Sequence, residues 1–83
     1  MTVRTLLVTL DPGERSRRSV LYVLSRDPRI HVGPVDGNRL PVVTETPSPE
    51  EGEDLTEQLR QVPGVHSLEV LNPDVGAEVV SYL

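Results

Sequence analysis

The chain has 83 residues, a formal net charge of −5, no cysteine, no lysine, two tyrosines and neither phenylalanine nor tryptophan. That length supports one domain with a modest core, and the missing cysteines exclude a disulfide framework, a thiolate zinc site and a thiol nucleophile. An acidic balance without lysine clusters or stacking aromatics makes nucleic acid an unexpected partner.

The first element is Val3 to Leu10, β-branched and apolar. Alternation places Leu6, Val8 and Leu10 on one face and Thr5, Leu7 and Thr9 on the other, which predicts a central strand with one wetter side. Asp11-Pro12-Gly13-Glu14 then has the composition of a helix start: an Asp N-cap, Pro at the first helical position, and Glu placed to reach back to the cap amide. The helix that follows presents Val20, Leu21 and Leu24 as its apolar stripe and leaves Arg15, Arg18 and Tyr22 facing water. It is expected to stop at Asp27-Pro28, because proline disfavours a helical conformation for its predecessor.

Ile30 and Val32 alternate with Arg29 and His31 in a second strand, and Val35-Asp36-Gly37-Asn38 supplies residues suited to a hairpin reversal. In the third strand, Arg39 to Glu45, Leu40 and Val42 point inward, and Val43 and Glu45 outward. Pro41 has no amide to give to a ladder, so a local defect is expected there. Ser48-Pro49-Glu50-Glu51 repeats the capping pattern and stacks acidic residues at a helix N-terminus, where the macrodipole favours them. Leu55, Leu59 and Val62 form the buried stripe of this second helix. Gly52 weakens its first turn, and Glu50, Glu53, Glu57 and Arg60 are solvated.

A last strand runs from Val65 to Leu71, with Leu68 and Val70 on one face and Ser67 and Glu69 on the other, and Asn72-Pro73-Asp74 ends it. Residues 1–74 thus make a single domain. Residues 75–83 form a tail that is either a short strand or a short helix, and its valines and Tyr82 favour pairing with another surface, a second copy of the chain included.

The order β-α-β-β-α-β predicts an α+β, ferredoxin-like domain: a four-stranded antiparallel sheet with two helices on one face and the other face open. No apolar run approaches the length of a membrane span or a signal-peptide core, so the expectation is a cytoplasmic protein with no membrane span.

Val3 to Val8, Asp27-Pro28-Arg29-Ile30-His31-Val32, Asp36 to Glu45 and Val62-Pro63-Gly64-Val65 together resemble the NapD family, small cytoplasmic chaperones for periplasmic nitrate reductase. The resemblance covers most of residues 3–71. It departs from the family pattern at Pro41, which interrupts an otherwise aliphatic strand, and at Val70-Leu71-Asn72, where the family tends to place a Tyr. It implies capture, on the sheet face, of the twin-arginine signal peptide of a nitrate reductase catalytic subunit before export, with no enzymatic activity. A second resemblance, to the ligand-sensing and dimerisation module of leucine-responsive regulators, rests on the fold order and the Pro-Gly-Val entry to the last strand. It implies a stand-alone homo-oligomeric effector or interaction module.

A receptor for two guanidinium groups and an apolar stretch needs carboxylates beside an apolar surface. Glu45 and Glu69 are the candidates, and alternation puts them with Thr5, Leu7, Thr9, Val43 and Ser67 as the peptide-binding set. The competing reading of both glutamates is that they are ordinary solvated strand residues that discourage edge aggregation.

Ser16-Arg17-Arg18 itself imitates part of a twin-arginine motif, but only Val20 to Leu24 follow before Ser25-Arg26-Asp27, so these arginines are expected on the first helix, paired with Glu14 or solvated. His31 and His66 lie in different strands and read as exposed strand residues. The acidic run from Glu45 to Asp54 lacks the ligand alternation of a calcium loop, so neither a metal nor another cofactor is expected. An acylphosphatase-like enzyme would need a phosphate-cradling loop with an arginine after the first strand, and Asp11 to Glu14 has the opposite charge.

Overall fold

A computed structural model describes residues 1–72, and the expected tail at 75–83 lies outside the described residues. The elements are β1 (Thr2–Leu10), α1 (Glu14–Ser25), β2 (Ile30–Val32), β3 (Arg39–Thr46), α2 (Pro49–Arg60) and β4 (Val65–Asn72). All strand pairs are antiparallel and the sheet order is β2-β3-β1-β4, so the ferredoxin-like α+β architecture is established.

Both helices cover the same face. Alternation in β1 buries Leu6, Val8 and Leu10 beneath them, β3 adds Leu40 and Val42, and the helices answer with Val20, Leu24, Leu55 and Leu59. Period-two strands against 3.6-period helices thus make one apolar layer. At one end of that layer the chemistry changes to Thr2, Arg4, Thr44, Thr46 and Thr56, all buried. Arg4 Nη1 donates to Thr56 Oγ1 at 2.8 Å and to the Gly52 carbonyl at 3.3 Å, while the Thr56 hydroxyl donates to that same carbonyl at 2.8 Å. Gly52 is therefore a close-packing residue rather than a weak first turn: a Cβ there would lie 3.0 Å from Thr46 Oγ1 and 3.7 Å from Arg4 Nε.

The start of α1 departs from expectation. Asp11 is not the N-cap, and Pro12 lies outside the helix. Gly13 occupies the cap position at φ 118°, and no side chain caps the helix. The backbone explains the shift, since the Asp11 amide is committed to the Gly64 carbonyl at 2.8 Å, and only after Gly13 reverses the chain can the helical ladder begin, with Arg17 N donating to Gly13 O at 3.2 Å. Arg17 does not pair with Glu14 either, because its guanidinium donates to the Gly37 carbonyl at 3.2 Å.

The second helix starts as expected, with Ser48 Oγ accepting from the Glu51 amide at 3.2 Å and Pro49 in the first turn. The hairpin between β2 and β3 closes on Asp36 and Arg39, whose amides and carbonyls exchange at 2.9 and 3.0 Å around Gly37-Asn38. Only Gly37 has positive φ, at 63°, which suits a turn with glycine at its first central position.

Pro41 causes no defect. The β1–β3 register runs unbroken from Thr2↔Thr46 to Thr9↔Arg39, with Leu7 opposite Pro41. The Pro41 carbonyl accepts from Gly33 N at 2.9 Å, just past the end of β2. A residue's amide and carbonyl point to the same side of a strand, so the missing N–H faces the end of β2 and not β1. The irregularities lie on the other side of β1, where the β1–β4 register shifts between Thr5 and Leu6 and again between Thr9 and Leu10, leaving Leu71 and His66 as extra residues of β4.

Candidate functional site

The face turned away from α1 and α2 follows from the registers. Thr5 lies opposite Val43, Leu7 opposite Glu69 and Pro41, Thr9 opposite Ser67 and Arg39, and Val3 opposite Glu45. All seven residues singled out by alternation, Thr5, Leu7, Thr9, Val43, Glu45, Ser67 and Glu69, therefore share one face of one sheet. Thr5, Leu7, Thr9 and Val43 are half-buried by their neighbours, and Glu45, Ser67 and Glu69 are exposed. The centre is apolar and hydroxylic, with carboxylates at its margins.

The two carboxylates do not form a single clamp. Glu45 is level with Val3 and Glu69 with Leu7, on opposite sides of β1. At about 3.4 Å per residue and about 4.8 Å per strand, their backbones are roughly 16 Å apart on a diagonal that crosses β1 near Thr5. Glu45 is also engaged: its Oε1 lies 3.2 Å from His31 Nε2, and both side chains remain about half exposed, at 44% and 57%. No ion pair to Glu69 forms among the described residues.

His31 thus joins the face, a neighbour that sequence reasoning missed. The signal was present in its alternation with Ile30, but the partnership depends on how β2 registers against β3, where His31 sits opposite Val43. Arg39 was likewise left out of the expected set, although its period-two relation to Pro41 and Val43 puts it on this face. His66 is exposed in the first β4 bulge, with its Nδ1 3.5 Å from Asp11 Oδ1. Among the described residues, no three His, Cys, Asp or Glu side chains gather so as to hold a metal ion.

Glu45 also borders a cleft of about 570 Å³ that it shares with Met1, Pro28, Arg29, Thr46 and Pro47. Pro28 and Pro47 stiffen its rim, and the Met1 side chain is 85% exposed beside it. Arg29 is held there by Asp27, which accepts its Nε at 3.0 Å and its Nη2 at 2.7 Å, while Glu51 Oε2 stands 3.9 Å from Nη1. The hydrogen bonds from Arg29 hold the Asp27 carboxyl below its ordinary value, against the opposing effect of burial, and raise the Arg29 guanidinium above its own.

The fold and this face together define a ferredoxin-like α+β domain whose sheet, among the described residues, carries no helix on one side and has carboxylates at the margins of that side. No family model matches the chain, and neither a curated protein nor a solved structure does. Among the described residues no helix is long and apolar enough to cross a membrane.

Proposed function

We propose that this chain is a small cytoplasmic binding protein, not an enzyme, that captures the twin-arginine signal peptide of a nitrate reductase catalytic subunit during maturation. The observation that supports the reading best is the common face of Thr5, Leu7, Thr9, Val43, Glu45, Ser67 and Glu69, with its apolar centre and its carboxylates at diagonal corners. In an extended peptide, successive side chains point to opposite sides. Two adjacent arginines lying over Thr5 would therefore direct one guanidinium towards Glu45 and the other towards Glu69, and charge-assisted hydrogen bonds would favour both. The apolar residues that follow the pair would rest on Leu7 and Val43, or run past Glu45 into the cleft beside Pro47. For Glu45 to accept a guanidinium it must share or release His31.

Titration of isotope-labelled protein with a nitrate reductase twin-arginine peptide, against a control peptide with both arginines changed to lysine, tests this reading. Expected are NMR shifts confined to Thr5–Thr9, Val43–Glu45 and Ser67–Glu69 that are lost with the control. Absence of shifts with either peptide well above micromolar concentration would overturn it. Shifts of the same residues on simple dilution, without peptide, would favour the alternative of a homo-oligomeric effector or interaction module whose open sheet faces pack together.

A further inference from the structure

Charge on the opposite side of the molecule is segregated by element. The exposed stripe of α1 and its C-terminal cap is basic, with Arg15, Arg18 and Arg26 spaced along one side and Tyr22 between them. The exposed side of α2 is acidic, with Glu50, Glu53, Asp54 and Glu57. Each helix has 12 residues, so the stripes have matched lengths of about 18 Å. Neither is fully satisfied internally: Arg15 and Arg18 on one side, and Glu50, Glu53 and Asp54 on the other, make no ion pair among the described residues, and only Glu57 of the acidic stripe has one, to Arg60 Nε at 3.5 Å. Tyr22 is 62% exposed and Val23 44%, so the basic helix also offers apolar area. Arg26 lies 5.5 Å from the centre of the Tyr22 ring and donates to its hydroxyl at 3.1 Å, which holds both side chains on the helix surface.

We propose that the helix layer is a self-docking surface that pairs two copies of this chain, with α1 of each copy resting on α2 of the other. Because β1 and β3 are antiparallel and each helix runs back along the strand before it, α1 and α2 are antiparallel. A two-fold axis lying between them, parallel to both, brings each basic stripe over the partner's acidic stripe and makes the two contacts identical, as an isologous interface requires. Arg26 then approaches the partner's Glu50, and Arg15 and Arg18 approach the partner's Asp54 and Glu57. The pairing leaves both open sheet faces free, so it is compatible with peptide capture and independent of it.

Two helices a side bury less than a standard interface, so the association is weak and ionic. The net charge of −5 drives whole copies apart. At about 0.1 M salt the Debye length of about 10 Å screens that long-range repulsion more than the contact pairs, and at about 1 M, near 3 Å, the pairs are weakened as well.

Sedimentation equilibrium of the parent chain and of charge-reversed variants tests the proposal, with circular dichroism to verify that these surface variants fold. The parent is expected to self-associate at about 0.1 M salt and to dissociate at about 1 M. The variants R15E/R18E and E53R/D54R should each lose at least about tenfold in self-association, since like charges then face each other. An equimolar mixture of the two should recover it, because both contacts are again complementary. With R15E/R18E fluorescently labelled and followed alone, E53R/D54R should take the label into a dimer, whereas E45R/E69R, which has the same net charge but keeps an acidic α2 and so pairs only with itself, should not. A parent that stays monomeric at its highest soluble concentration, R15E/R18E or E53R/D54R dimerising undiminished on its own, or equal uptake of the label by E53R/D54R and E45R/E69R would overturn the proposal.

Discussion

Gly64 shows how one residue can fix the approach of two elements. Its φ of 101° lies in a region that L side chains rarely adopt, and a Cβ there would stand 2.7 Å from Val20 Cγ2 and 3.2 Å from the Ser16 carbonyl. Gly13, at φ 118°, has open space around it. Gly13→Ala is expected to cost about 1–3 kcal/mol from backbone strain alone, and Gly64→Ala a further 1–3 or so from overpacking against α1. Urea unfolding of the two variants separates these contributions, and equal losses would mean that the contact with Val20 relaxes without cost. A second residue-scale prediction concerns Asp27, whose folded pKa is depressed by Arg29. Such a pair contributes above the ordinary carboxylate value and loses its contribution as pH falls through the folded value. Both side chains are partly exposed, at 25% and 35%, so Asp27→Asn is expected to lose less than about 1 kcal/mol at neutral pH. The gap between variant and parent should close in acid, as measured by denaturant midpoints across the range. The asparagine keeps an oxygen for the Arg29 amide, which Asp27 Oδ1 accepts at 2.9 Å, so the turn itself survives.

At the scale of elements, the two helix starts make a controlled comparison. Ser48 caps α2 through its hydroxyl, whereas α1 begins at Gly13 with no side-chain cap. Ser48→Ala should therefore cost about 1 kcal/mol, while Asp11→Ala should leave the helix content of α1 unchanged by circular dichroism and thermal melting. A comparable loss from Asp11 would restore it as a cap. What was legible in the sequence follows the same division. Strand alternation placed Leu6, Leu40 and Leu68 inward and all seven candidate site residues outward, because a period of two is a local property. Gly52, Arg4 and Gly64 were not legible as packing residues, because their roles depend on which distant atoms arrive beside them: Thr46, Thr56 and Val20. The same holds for the Glu45–His31 contact and for the diagonal separation of the two glutamates. Faces could be read from the chain, but distances across the sheet required the register. Pro41 was misread for a related reason, since its missing amide faces β2, and β2 ends at Val32 before a ladder bond there is needed.

For the whole molecule, the strand order β2-β3-β1-β4 has a kinetic consequence. β1 is central, yet neither of its partners is its neighbour in the chain: Thr2 must find Thr46, and Leu10 must find Val65. During synthesis β1 is therefore made long before either strand that will cover its edges, and its apolar face waits for α1 and then α2. The entropy of closing these long loops is incurred before the pairing rewards it, which places such a topology among the slower small domains, with folding in milliseconds to seconds rather than microseconds. Stopped-flow refolding should show this as a single cooperative phase, and a helix-only burst carrying most of the signal would contradict it. A nascent chain cut before β4 should gain little stability from β1 and β3 alone. Commitment to the native state waits until β4 has been made and closes the sheet.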